Sequence, residues 1–257
     1  MLVRDVTEIL ERNSPPEYAE DWDNVGLLCG RSDREVHRIM VTLDATTEAC
    51  RKAVEMGVDM IITHHPMVFG KINRVNDQSV LGRKLLMLIE AGVSCYAMHT
   101  NFDTKGGMAK LAGSMLGLKA MQVLEETKDG EGLGVIGLLE RTTPLCRLAD
   151  LVKRQFGLPE VLVFGDCNKE VEKVAVCPGS GKSVIDISIA KGAECLITGD
   201  IGHHDGIDAM DAGLYIIDAS HYGLEEIFVD HIMNEVLGPL DGVEIFGWSV
   251  GRPYNVY

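Results

Sequence analysis

Residues 58–66, Val-Asp-Met-Ile-Ile-Thr-His-His-Pro, set two imidazoles where an apolar run stops. Imidazole is the commonest protein metal ligand, and it exchanges protons near neutral pH. The β-branched stretch 58–62 has the character of a strand buried on both faces. Pro66 cannot donate to a strand ladder, and it pushes His65 towards extended geometry. Neighbouring side chains of an extended chain point to opposite sides. His64 and His65 therefore do not easily share one ion, but each can hold one of two ions beyond the strand end. In open α/β sheets, ligands bind in the crevice at the carboxyl ends of strands.

Three more residues extend this set. Asp103 follows the strand at 93–98 and the run His99-Thr100-Asn101-Phe102. It suits either a metal or the N-cap of a helix at 105–116. His221 and Glu225, four residues apart, open the last long helix, whose apolar positions Leu224, Ile227, Phe228 and Ile232 face a core, and they share one of its faces. Three imidazoles and two carboxylates (His64, His65, Asp103, His221 and Glu225) suit Zn, Fe, Mn or Co better than Ca or Mg. They suffice for two divalent ions if one carboxylate bridges and water completes each sphere.

The elements that must position these groups alternate strand with helix. The expected order is a helix over 1–12, a strand over 38–43, a helix over 46–56 and a strand over 58–63. A helix over 79–91, a strand over 93–98 and a helix over 105–116 follow. This alternation implies βαβ units and a mainly parallel sheet. Past residue 125, Lys128-Asp129-Gly130-Glu131-Gly132 is a polar turn, followed by a strand over 133–139 and a helix over 144–156. Then the first pattern returns. Glu35-Val36 is echoed by Glu170-Val171, and the same offset aligns Gly57, Ile62 and Thr63 with Gly192, Ile197 and Thr198. The expectation is an α/β protein of two pseudo-repeated halves, 1–126 and 127–257, with mainly parallel sheets and a metal site between them. In that alignment Gly199-Asp200 stands where His64-His65 stand in the first half.

Two weaker signals accompany the repeat. Gly179-Ser180-Gly181-Lys182-Ser183 resembles the end of a phosphate loop, but Val176 occupies the place of the required first glycine; a tight strand-to-helix turn gives the same pattern. His203-His204-Asp205 opens a helix and either lines the site or lies exposed behind an Asp205 cap.

Composition bounds the rest. A net charge of −15 opposes non-specific attraction to nucleic acid and to anionic membranes. No apolar run approaches the ~20 residues that span a bilayer, and the first residues lack the layout of a signal peptide. Seven scattered cysteines with no Cys-x-x-Cys argue against a disulfide framework. These features predict a cytoplasmic protein.

The combined motifs resemble the dinuclear-metal family known as GTP cyclohydrolase 1 type 2 homologues, or NIF-three-like proteins. The carriers are Trp22-Asp23-Asn24-Val25-Gly26-Leu27, Thr63-His64-His65-Pro66, His99 to Asp103, Thr198-Gly199-Asp200 with His203-His204, and Asp218 to Tyr222 with Glu225. The resemblance covers nearly the whole chain and lacks the long insertion of some relatives. It implies His64 and Asp103 on one ion, His65 and His221 on the other, Glu225 bridging, and a ring-shaped hexamer. It implies a hydrolase that opens the guanine ring of GTP with loss of formate. His99 and His204 are then the candidates for proton transfer, with Asp200 orienting one of them, and Lys71, Arg74 and Arg252 are candidate phosphate partners. Two other readings fit the same residues: a dinuclear hydrolase of other nucleotides or phosphoesters, and a metal-binding assembly that docks a partner without catalysis.

Overall fold

The computed structural model describes residues 1–238 and 240–256. The chain forms two compact units: Met1–Gly106 with Phe228–Tyr257, and Gly107–Ile227.

The first unit opens with α1 (Val3–Asn13), whose buried Val3, Val6 and Leu10 recur at helical spacing. Asp5 accepts from the Leu2 amide at 2.8 Å and so caps the helix start. Next come β1 (Gly26–Cys29), β2 (Arg38–Thr42), α2 (Thr47–Glu55), β3 (Met60–Thr63), α3 (Val80–Ala91) and β4 (Ser94–Ala97). Thr46 caps α2 through the Ala49 amide, and α3 stops at Gly92 in left-handed geometry. Beyond β4 lies one π-helical turn, Phe102–Gly106.

The second unit contains α4 (Met108–Met115), β5 (Lys119–Lys128), β6 (Glu131–Pro144), α5 (Leu145–Gln155) and β7 (Leu162–Phe164). It continues with β8 (Glu170–Ser180), α6 (Ile185–Ala190), β9 (Cys195–Gly199), α7 (His203–Asp211), β10 (Tyr215–Asp218) and α8 (His221–Glu225). The chain then runs through α9 (Ile227–His231), a π-helical segment Ile232–Val236, and β11 (Glu244–Gly247).

Among the described residues, the first sheet has the order β1-β4-β3-β2-β11 and the second β5-β6-β8-β9-β10-β7. In the first, β2, β3, β4 and β11 run parallel, and only β1 is antiparallel. In the second, β8, β9 and β10 form a parallel centre flanked by antiparallel β6 and β7. The repeat seen in the sequence is thus a matched pair of three-stranded parallel centres, β2-β3-β4 and β8-β9-β10. Parallel strands need both faces covered. In the second unit, Val174, Val176, Ile197 and Ile217 pack on one face with Leu148 and Val152. Ala175, Leu196 and Ile216 pack on the other with Val184 and Ala209.

Three expectations change here. The units do not divide at 126/127, because β11 extends the first sheet beside β2 while α4 and β5 belong to the second unit. The helix expected to run unbroken from His221 through Ile232 is interrupted at Glu226 and ends in the π-helical segment. Asp103 does not cap the following helix, whose N-cap is Gly107. Among the described residues no helix is long and apolar enough to cross a membrane.

Candidate metal centre

Strand register assembles the site of the first unit. Thr42 pairs with Thr63, and Thr63 with Ala97, so Asp44, His65 and His99 lie level, each two residues past its strand partner. The ladder continues beyond the strands through the His65 amide to Leu43 O at 3.0 Å and the Met98 amide to Thr63 O at 2.9 Å. Loops held this way present their side chains with little freedom.

His64 is fully buried. Its Nδ1 lies 2.7 Å from Met98 O. A carbonyl can only accept, so Nδ1 carries the proton and Nε2 is the nitrogen that would face a metal. That Nε2 lies 3.6 Å from the Asp103 carboxylate, in the π-helical turn. Phe102 and Phe228 flank the ring, with centroids at 6.2 and 5.2 Å. The His65 ring lies 5.0 Å from that of His64, and its Nδ1 donates to Asp44 Oδ1 at 2.9 Å. His99 donates through Nδ1 to Asp23 Oδ1 at 2.9 Å. His64, His65 and His99 bring ring nitrogens within 4.8 Å of one another, so the group can hold a metal ion. His99, expected to stand off the metal, is therefore close enough to be a third nitrogen donor.

The acidity of Asp23, the carboxyl that holds His99, is clearly displaced. Burial raises its carboxyl, but hydrogen bonds from His99 and from the Thr100 hydroxyl and amide outweigh burial and bring the pKa to about 2. Against an ordinary value of 3.8, that shift corresponds to roughly 2 kcal/mol of stability. Because the folded pKa is depressed, the contribution is complete above the unfolded value and is lost as pH falls from about 4 to about 2. Denaturant melts of the parent and Asp23→Asn should differ most at neutral pH and converge over that window. A gap that stays constant down to pH about 2 contradicts the assignment.

The second unit builds its own donors at the matching strand ends. Thr198 pairs with Asp218, which sets Asp200 level with Ser220. Asp218 accepts from the Ile201 amide at 2.9 Å and the Ser220 amide at 2.8 Å, pinning both loops. Ser220 caps α8 through the Gly223 amide at 3.0 Å. Asp200 and Ser220 both hold positive φ, 58° and 62°. Such backbone costs about 1–3 kcal/mol and persists where surrounding structure enforces it. His221 donates from Nδ1 to Asp200 Oδ2 at 2.8 Å, and its Nε2 lies 3.0 Å from the buried Glu225 carboxylate. Asp200, expected to orient His99 or His204, thus holds His221; the register sets it beside Ser220, whereas Asp23 serves His99. The slot matching His64 is Gly199, where a Cβ would lie 2.4 Å from the His221 amide nitrogen. His204 is exposed on the first turn of α7, its ring 5.2 Å from that of His203, and Asp205 pairs with Lys182 at 2.9 Å instead of capping that helix.

The glycine-rich stretch also finds its reason. Gly179, one residue before the end of β8, has φ +78°, and a Cβ there would lie 2.5 Å from Glu225 Oε1. It makes room for a carboxylate, which argues for close approach over a phosphate loop. Gly179→Ala should lower stability by about 1–3 kcal/mol in chemical denaturation and weaken metal binding by displacing Glu225. Gly130, with φ +77° and open space around it, is the control. Equal losses from Gly179→Ala and Gly130→Ala, with metal binding unchanged, contradict the role of Gly179.

The orienting residues Asp44 and Asp23 were not expected from sequence. Each follows the pattern of an acidic residue just past, or in the loop beside, a strand end. Only strand register reveals which histidine it serves.

Two parallel strand centres that each end in oriented imidazoles and carboxylates define an α/β protein with donor sets suited to a transition metal. The chain belongs to the Duf34/NIF3 (NGG1p interacting factor 3) family, whose model matches residues 1–249. It is 32% identical over 244 residues to a Clostridium perfringens protein named GTP cyclohydrolase 1 type 2 homolog, covering 94% of this chain and 93% of that one. A Helicobacter pylori (strain J99) protein named GTP cyclohydrolase 1 type 2 is 33% identical over 229 residues, covering 88% of each. The crystal structure of a Bacillus cereus protein related to NIF3 superposes with a TM-score of 0.93 at 22% identity, covering 100% of this chain and 99% of that one. That last likeness establishes the fold.

Proposed function

We propose that this chain is a dinuclear metal-dependent hydrolase acting on a nucleotide, with GTP ring opening as the reaction its relatives' names point to. One observation carries the reading. His64, His65, His99 and His221 each commit Nδ1 to a carbonyl or carboxylate, so that a metal would be met through Nε2. Metal-binding histidines are held in this way, and loss of the holding partner typically costs 10–100-fold in affinity or activity.

In this proposal His64 and Asp103 serve one ion, His65 and His221 the other, and Glu225 bridges, with Zn, Fe, Mn or Co as the metal. When bound, the pair supplies Lewis acidity and a water of lowered pKa. The chain's own residues do the rest. Asp44, Asp200 and Met98 O hold three ligand imidazoles in one tautomer. Asp23 holds His99 so that its Nε2 can take a proton from water or return one to the leaving nitrogen, help typically worth 10²–10⁴-fold. Of the two proton-transfer candidates, His99 has such a carboxylate partner and His204 is exposed. The proposal keeps the expected ring-shaped hexamer, which sedimentation tests.

The functional test is a screen of metal-loaded protein against GTP, other nucleotides and phosphodiesters. The expected result is nucleotide turnover with formate release. Turnover of phosphodiesters alone moves the reaction class. No turnover with full metal content contradicts the enzyme reading and leaves a metal-binding assembly.

A further inference from the structure

Trp22 and Phe69 are each 57% exposed. Large aromatic rings side by side at the surface mark a binding surface more often than chance exposure. Their centroids are 5.7 Å apart at an angle of 40°, and both meet the edge of His99, at 6.0 and 6.2 Å. The segments that carry them are tied together, because Asn24 Nδ2 donates to Val68 O at 2.6 Å. Asp23, between Trp22 and Asn24, is fixed in turn by His99 and Thr100. The rings therefore stand on a braced support beside a proton-carrying imidazole. The loop that carries Phe69 also carries Lys71 and Arg74, both exposed, in a chain of net charge −15.

We infer that Trp22 and Phe69 form the shelf on which the planar base of a nucleotide lies, with Lys71 and Arg74 drawing its phosphates. Stacking needs only a π face, and the local positive charge complements a phosphate tail. The inference rests on the proposed function, since a shelf touching His99 serves a substrate only if His99 acts on one. It adds the residues that recognise the base.

The test uses the full chain as isolated, with Trp248→Phe leaving Trp22 as the single tryptophan reporter. GMP should quench the Trp22 emission saturably, and ribose 5-phosphate, which has no base, should not. Phe69→Ala should weaken GMP binding by roughly tenfold or more, with metal content and melting temperature unchanged, while Phe69→Tyr retains binding. Absence of a saturable GMP quench, or an unchanged affinity in Phe69→Ala, overturns the shelf. So does an emission change that follows protein concentration without nucleotide, since the rings then meet another copy. GMP binding without turnover of any nucleotide fails the hydrolase reading and keeps the shelf. GTP turnover with kcat/KM untouched by Phe69→Ala does the reverse.

Discussion

Replacing Glu225 by Gln is expected to lower metal occupancy at both positions at once. The side chain is buried and lies 3.0 Å from His221 Nε2, in space that Gly179 leaves open. Under the proposed arrangement, Gln keeps the shape and removes a charge that would offset two cations, so packing should survive and binding should not. The loss should exceed the roughly 10–100-fold that follows removal of an orienting partner. His65→Ala, by contrast, should mainly empty one position. Elemental analysis of the two variants separates them, and equal single-position losses contradict a bridging carboxylate.

His99→Gln should have the opposite signature. Both metals should stay bound, while turnover of the best nucleotide falls by about two orders of magnitude or more. Asp23→Asn should follow in the same direction with a smaller loss, because it frees the ring without removing it. The nearness of His99 to His64 and His65 makes this informative. If metal content falls in step with activity, His99 is a ligand. If activity survives, proton transfer belongs elsewhere, with His204 the next variant.

The end of β3 was legible because two independent signals agree there: a β-branched apolar run and an abrupt His-His-Pro stop. The parallel centres were legible because the sequence repeats their order of elements. β5 was not, since Lys119–Lys128 is half-exposed and rich in charge, and carries no clean alternation. β11 was missed for a different reason. It has only the four residues Glu244–Gly247, and it pairs with β2 some two hundred positions upstream, as the Arg38–Glu244 ion pair also does. No local pattern encodes so distant a partner, and the boundary between the units went astray with it.

At the candidate site, the donors were readable by residue type and spacing. Their orienting partners were not. Asp44 finds His65 through the pairing of Thr42 with Thr63, and Asp23 reaches His99 across 76 residues of chain. Gly179 was readable as a turn glycine, but its purpose depends on Glu225 arriving from a distant helix.

Anomalous diffraction from a crystal of the metal-loaded protein tests the central proposal most directly. The account predicts two peaks about 3.5–4 Å apart, one bound by His64 and Asp103, the other by His65 and His221, with Glu225 touching both. A single peak, or two peaks with Glu225 on neither, contradicts it.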